Sequence, residues 1–255
     1  FLLEPIGRNT APALTLASMM VKDHYSEDVN MVVMPSDQTI MDEEQWIAAI
    51  RQSIQQASSG GIVTLGITPT HPETGYGYIQ KQHEANQNNA SEVTQFTEKP
   101  NLEVAKQYID SNNYLWNSGI FILQAGVWLQ AIDRFSPEIL KQTQIAWQGK
   151  SIDHGGFVDF VRPNKEDFLK IPSDSIDYAV IEKCPEKLPI HVVPLDAGWS
   201  DLGAWDAVWN VGKKDQQQNV THGDVLLHDT SNSYIHATQK LVGVVGLKDI
   251  VVIET

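Results

Sequence analysis

Met31-Val32-Val33-Met34-Pro35-Ser36-Asp37-Gln38 reads as a short buried strand that stops at a proline turn and delivers a carboxylate. Four consecutive apolar residues without alternation predict a strand covered on both faces, as in a parallel sheet between helices. In open α/β sheets, ligands bind beyond the carboxyl ends of the strands, which is where Asp37 falls. An Asp after a strand is also an ordinary turn or capping residue, so its role rests on what converges on it.

Outward from this stretch, strands and helices alternate. Upstream, Glu4-Pro5-Ile6-Gly7-Arg8-Asn9-Thr10-Ala11-Pro12-Ala13 is a turn into a helix, with Asn9 or Thr10 as cap and Pro12 in the first turn. The first amides of such a helix are unpaired and point forward, a place for an anion or a base edge. Arg8 and Asn9 lie beside them; a well-capped helix with a solvent-facing Arg fits the same residues. Downstream, Asp42 to Ala57 reads as an amphipathic helix with Trp46, Ile47, Ile50 and Ile54 inward. Gly60-Gly61 ends it, and Ile62 to Ile67 is a second buried strand. This order predicts an α/β fold with right-handed parallel crossovers.

The 255 residues, 42% hydrophobic and 20% charged, suffice for one large α/β core with an appendage. A net charge of -14 with no basic run argues against nucleic acid and anionic membrane as partners. An anionic small molecule would need local cations, backbone amides or a metal. The single cysteine, Cys184, excludes an internal disulfide and fits a reducing cytosol. No stretch reaches transmembrane length and no signal-peptide pattern is seen, so a cytoplasmic location is expected. Phe1 to Pro5 reads as the end of a strand and Ile250 to Thr255 stops in or just after one, so a fragment of a longer polypeptide is expected.

Further polar groups fall at strand ends. Gly75 and Gly77 flank Tyr76 before Tyr78-Ile79, a spacing that permits close backbone approach to a ligand and equally suits a turn entering a hairpin. His83 to Ser91 reads as an exposed hairpin tip. Val93 to Phe96 returns as a strand ending in Thr97-Glu98-Lys99-Pro100, where a carboxylate and an ammonium either split across strand faces or bend together around a ligand. Trp116-Asn117-Ser118-Gly119 opens an apolar strand. Asn117 can donate to and accept from a sugar hydroxyl pair, or be a plain turn residue. Helices are predicted over Asn101 to Ser111, capped by Asn101, over Val127 to Phe135 and Pro137 to Trp147, and over Ser175 to Glu182, with an N-terminal cap. Gly149 to Gly156 is read as a loop and Phe157 to Phe168 as a partly helical segment.

Ile190 to Leu195 is a strand leading into Asp196-Ala197-Gly198-Trp199-Ser200-Asp201-Leu202-Gly203. Two carboxylates from different strand ends suit a Mg²⁺ ion bridging phosphate oxygens, because Mg²⁺ takes few protein carboxylates plus water and phosphate. Asp37 with Asp201 is the candidate pair, and Asp196 the competing choice. From about Val220 short strands separated by turns predict a β-rich appendage such as a β-helix. The eight His show no metal-ligand spacing.

The stretches Glu4 to Ala13, Met34-Pro35-Ser36-Asp37, Gly75 to Ile79, Phe96 to Pro100, Trp116 to Gly119 and Gly198 to Gly203 occur in this order. Together they closely resemble mannose-1-phosphate guanylyltransferases (GDP-mannose pyrophosphorylases), of the bacterial type II sometimes fused to a phosphomannose isomerase. The resemblance implies a Rossmann-like, three-layer nucleotidyltransferase fold (nucleotide-diphospho-sugar transferase) over residues 1–218, N-terminally truncated, and the start of a left-handed β-helix-like region over 219–255. It implies GTP, mannose 1-phosphate and GDP-mannose as ligands, Mg²⁺ on Asp37 and Asp201, and a homodimer by analogy alone. Glu98 would bind mannose hydroxyls with Asn117 and the Gly77 backbone, and Lys99 would neutralise the sugar phosphate. Glu4, Arg8, Asn9, Thr10 and Ala11 would line the nucleotide site, Glu4 facing the neighbouring N–H donors of guanine.

Two departures stand out. The family's opening glycine-rich loop with its Arg, and its later Pro-Lys element, have no counterpart here, and Ser36-Asp37-Gln38 stands where Ala-Asp-His is usual. The chain is therefore expected to be feeble or inactive by itself, without isomerase activity. A transferase for another base or hexose, or a nucleotide-sugar-binding module that does no chemistry, would share these motifs.

Overall fold

The computed structural model describes residues 1–82 and 89–255, so most of the expected hairpin tip lies outside the described residues. These divide into two units: Phe1–Pro35 with Asp42–Ala197, and Ser36–Met41 with Gly198–Thr255. In chain order the first unit holds α1 (Thr10–His24), β1 (Asn30–Val33), α2 (Glu43–Ala57), β2 (Ile62–Ile67), β3 (Tyr78–Lys81), β4 (Ser91–Thr97), α3 (Leu102–Asp110) and β5 (Tyr114–Gln124). It continues with α4 (Ala125–Phe135), α5 (Pro137–Gln148), β6 (Ser151–His154), β7 (Asp159–Arg162), α6 (Lys165–Phe168), α7 (Ile176–Ala179) and β8 (Ile190–Pro194).

Six strands form a mixed sheet in the order β1-β5-β2-β8-β4-β3, and β3 also pairs with β5. β2 and β8 run parallel, whereas β1 and β2 are each antiparallel to β5. β1 and β2 therefore share a direction, as the crossover through α2 predicts, but β5 lies between them. Ile62, Val63, Thr64 and Leu65 are all at most 1% exposed, so β2 is covered on both faces. Phe121 and Leu123 join a core with α1, α4 and α5; Ile120 and Ile122, on the other face by the two-residue period, are buried as well. The result is a three-layer α/β arrangement. Trp128 of α4 is fully buried and its indole donates to Thr15 Oγ1 of α1 at 3.0 Å.

Three local expectations change. β1 is an edge strand with β5 as its one neighbour, and Val32 is 42% exposed rather than covered on both faces. α2, capped by Asp42 accepting from Gln45 N–H, buries Ala49, Ser53, Gln56 and Ala57 while Ile47 is exposed. Small side chains let the helix approach the sheet closely, so the narrow face is the inner one. The expected loop over 149–156 and the first part of the partly helical segment form the β6–β7 hairpin instead, the helical part being α6, and Leu2 bridges to Val161.

The second unit holds α8 (Trp205–Val211), β9 (Val220–His222), β10 (Val225–His228), β11 (Tyr234–His236), β12 (Val242–Val245) and β13 (Val251–Ile253). β9, β11 and β13 pair in parallel, as do β10 and β12. Short parallel strands stacked this way are the rungs of a β-helix. Among the described residues, no helix is long and apolar enough to cross a membrane.

Candidate functional site

Gly77, Glu98, Lys99 and Asn117 come together in the first unit. β4 ends at Thr97, and Lys99 adopts a left-handed φ of 49°, an unusual conformation for a side chain of its size. Its N–H donates to Tyr76 O at 3.2 Å. The corner brings Lys99 Nζ to 3.6 Å from Glu98 Oε1, so the doublet bends together rather than splitting. In β5, the pairing with β2 shifts register between Thr64 and Gly66, and Gly119 has a φ of 73°. Asn117 sits at this irregularity and donates its N–H to Gly77 O at 2.8 Å. A Cβ on Gly77 would lie 2.6 Å from Glu98 Oε2 and 3.3 Å from Asn117 Cβ. Only glycine allows that approach.

Two acidic residues that sequence reasoning did not single out complete the cluster. Asp177, in α7, accepts from Asn117 Nδ2 at 3.1 Å, and Glu182 Oε1 accepts from the Glu98 N–H at 2.8 Å. The Glu98 side chain is 11% exposed. Burial, then the charge of Asp177, push its pKa up to about 7; Lys99 opposes the shift and Glu182 adds to it. Burial also raises Asp177, against its own backbone hydrogen bond and Lys99. Glu98 and Asp177 thus share the Lys99 charge, with Glu182 acting on both carboxylates, and Lys99 keeps 58% of its side chain exposed. The sole sequence signal for this segment was its Ser175 cap, which is local and says nothing of the partners. Cys184 is buried, and burial pushes its thiol up to about 12, which suits a packing role.

The residues expected at a nucleotide are placed around the start of α1, also in the first unit. Asn9 caps the helix, its Oδ1 accepting from Thr10 N–H at 2.8 Å. Ala11 N–H donates to Asp174 O at 3.1 Å, and Thr10 Oγ1 accepts from Ile176 N–H at 2.9 Å. Two of the amides expected to be unpaired are therefore taken, and Pro12 has none to offer. Arg8 Nη2 donates to Leu169 O rather than facing solvent. Glu4 Oε1 is buried without a hydrogen-bond partner among the described residues, and burial raises its pKa. It lines a cavity of about 670 Å³ that also takes in Arg162 and Lys165.

Asp37 and Asp201 belong to the second unit. Thr39 and Ser200 exchange both backbone hydrogen bonds, at 2.9 and 3.1 Å. Trp199 Nε1 donates to Gln38 Oε1 at 2.9 Å. Because the two segments run antiparallel, Asp37, two residues before Thr39, and Asp201, one after Ser200, fall at the same end of the pair. Asp201 Oδ1 accepts from Gly203 N–H at 3.2 Å, and a Cβ on Gly203 would sit 2.8 Å from Asp201 Oδ2. Carboxylate oxygens on facing segments fit a hard divalent cation. Among the described residues no group of three or more His, Cys, Asp or Glu is arranged to hold a metal, so water and ligand oxygens would fill the rest of such a shell. Asp196, the competing choice, belongs to the first unit.

The family described as nucleotidyl transferase matches residues 1–218. The mannose-1-phosphate guanylyltransferase of Escherichia coli strain K12 is 44% identical over 258 residues, covering all of this chain and 52% of that relative. The mannose-1-phosphate guanylyltransferase ManC of Salmonella typhimurium strain LT2 shows the same identity and coverage. The chain thus spans about half the length of the curated relatives it matches. Among solved structures, one described as a mannose-1-phosphate geranyltransferase from Thermus thermophilus superposes with a TM-score of 0.85 at 29% identity, over 99% of this chain and 70% of that one.

Proposed function

The chain belongs to the nucleotidyl transferase family, and on that premise we propose that it carries mannose-1-phosphate guanylyltransferase activity: GTP and α-D-mannose 1-phosphate give GDP-mannose and diphosphate. The observation that carries this reading is the convergence of Glu98, Lys99, Asn117 and the Gly77 backbone. A buried carboxylate and an amide suit sugar hydroxyls, and the adjacent exposed ammonium suits the phosphate attached to that sugar. The names of the relatives, given to proteins about twice this length, agree with it.

In this reading an oxygen of mannose 1-phosphate attacks the α-phosphorus of GTP in line, and the bond to the bridging oxygen of the leaving diphosphate breaks. Such transfer depends on positioning and on charge stabilisation. Lys99 offsets the charge of the incoming sugar phosphate. Glu98 and Asn117 orient the hexose, and the Gly77 backbone closes against it. Residues Glu4 and Arg8 to Ala11 line the nucleotide side, where the unpartnered Glu4 oxygen is available to the N–H donors of guanine. Asp37 and Asp201 would hold Mg²⁺, which when bound neutralises phosphate charge. A cytoplasmic location and a homodimer complete the proposal; the family match ends at residue 218, whereas the compact units divide after Ala197 rather than at the expected 218–219 boundary.

Calorimetric titration of the chain with GDP-mannose, with and without Mg²⁺ and with UDP-glucose as control, tests this reading. Mg²⁺-dependent binding selective for GDP-mannose, weakened by Asp201→Asn and by Lys99→Ala, is the expected result. Equal affinity for UDP-glucose would defeat the base and hexose assignment.

A further inference from the structure

Asn117 holds its side-chain amide in one orientation. Its Oδ1 accepts from Gly119 N–H at 3.3 Å and from Thr64 Oγ1 at 2.9 Å, and its Nδ2 donates to Asp177 Oδ1 at 3.1 Å. A backbone N–H only donates and an ionised carboxylate only accepts. Turning the amide over would set N–H against N–H and oxygen against carboxylate, so both ends oppose the flip. One N–H of Nδ2 goes to Asp177, and the other is left for a ligand.

Asp177 is itself braced. Ser175 Oγ accepts from Tyr178 N–H at 3.2 Å, Ile176 N–H donates to Thr10 Oγ1 at 2.9 Å, and Ala11 N–H donates to Asp174 O at 3.1 Å. Five residues on, Glu182 accepts from the Glu98 N–H at 2.8 Å. One short segment therefore fixes two of the residues assigned to the hexose.

We propose that Asp177 is a positioning residue that makes Asn117 a hydrogen-bond donor, and not an acceptor, toward an oxygen of the bound hexose. This rests on the hexose pocket proposed above. It separates the two roles that the residue type alone allows, and it assigns a function to a carboxylate that reaches the hexose pocket through Asn117. Asp177→Asn keeps an acceptor oxygen for Nδ2 and removes the charge, whereas Asp177→Ala removes both.

The test is calorimetric titration of wild type, Asp177→Ala and Asp177→Asn with GDP-mannose and with GDP, with the Asn117 side-chain amide followed by ¹⁵N NMR without ligand. Loss of one charge-assisted hydrogen bond predicts that Asp177→Ala binds GDP-mannose roughly tenfold to hundredfold more weakly. GDP affinity is expected to hold, the Asn117 amide proton that bonds Asp177 to move upfield in Asp177→Ala, and Asp177→Asn to stay close to wild type on every readout. Unchanged GDP-mannose affinity in Asp177→Ala, equal loss for both ligands, or an Asp177→Asn as weak as Asp177→Ala would each overturn the proposal. A wild type that binds GDP but not GDP-mannose would instead overturn the hexose pocket, and this inference with it.

Discussion

The two groups of candidate residues are built in contrasting ways. In the first unit, Glu98 is 11% exposed, and the hydrogen bonds of Asn117, Gly77, Asp177 and Glu182 tie the surrounding strand ends to the α7 segment. In the second, Asp37 lies exposed beside a pair of segments joined by the Thr39–Ser200 bridge, and Asp201 is held by its own turn. The first is organised before any ligand arrives, with charge held in low dielectric. The second presents oxygens to solvent and leaves room for water and phosphate. A sugar has neutral hydroxyls that demand fixed protein partners, whereas Mg²⁺ completes its octahedron with water and phosphate and needs one or two protein carboxylates.

The largest expected effect breaks the first group. Lys99→Ala leaves Glu98 and Asp177 near an incoming phosphate without their cation, and GDP-mannose affinity is expected to fall by roughly a hundredfold, a loss at the upper end for a charged hydrogen bond. Asp37→Asn or Asp201→Asn should remove the Mg²⁺-dependent increment alone, about tenfold. Titrations showing equal losses, with or without Mg²⁺, would erase the contrast.

Glycine substitutions sharpen it on stability. A Cβ would meet a carboxylate oxygen at 2.6 Å at Gly77 and at 2.8 Å at Gly203. At Gly77 the oxygen belongs to the buried, hydrogen-bonded Glu98, with Phe96 Cζ at 3.1 Å behind it. Gly77→Ala is expected to cost about 1–3 kcal/mol in urea unfolding, the usual range for overpacking. Gly203→Ala should cost under about 1 kcal/mol, because all three atoms nearest the added Cβ belong to the Asp201 carboxyl group and none to an aromatic ring or to backbone.

Acidity separates the units by sign. Glu98 is raised from 4.5 to about 7 in the folded chain, so the native state binds more protons than the unfolded one between those values. Its contribution to stability is therefore present at pH 4 and lost as pH rises toward 7 and beyond. Glu254 is lowered to about 2 by the N–H groups of Gln239, Thr238 and Lys240 and the Thr238 hydroxyl. Its contribution is present above pH 4.5 and lost as pH falls toward 2. Urea midpoints across pH should lose the alkaline decline in Glu98→Gln and the acid decline in Glu254→Gln. A variant that changes the slope on the other side would contradict the assignment. The Glu254 effect is the smallest of all, since that side chain is open to water.

What the sequence made legible was whatever is decided locally. Asn101 and Ser175 cap helices as expected, Asn9 rather than Thr10 caps α1, and Asp42 caps the helix expected to start there, because a cap is a bond between a side chain and an amide within three residues. The apolar run of β2 and the short strands after Val220 are legible for the same reason, while the parallel pairing of those strands joins residues 14 to 17 positions apart and is not local. β1 was not: four apolar residues report hydrophobicity, and only the sheet order decides whether a neighbour covers them. β6 is exposed along its length and β7 buries Val161 alone, so their hairpin is visible only through its pairing and the stacking of Phe1 on Phe160. In the site, Glu98, Lys99 and Asn117 could be named from motifs. Asp177 and Glu182 could not, because their partners are 60 and 84 residues away.

The second unit takes in Ser36–Met41 from the early chain and Gly198–Thr255 from its end, so the peptide enters it twice. The Gln38–Trp199 hydrogen bond spans 161 positions. During synthesis the Asp37 segment must wait, unpaired, while the whole intervening α/β layer emerges and folds. Closing so long a loop is slow and entropically costly. The two carboxylates therefore become neighbours late, and a molecule able to present both oxygens to a cation is one whose sheet has already had time to form.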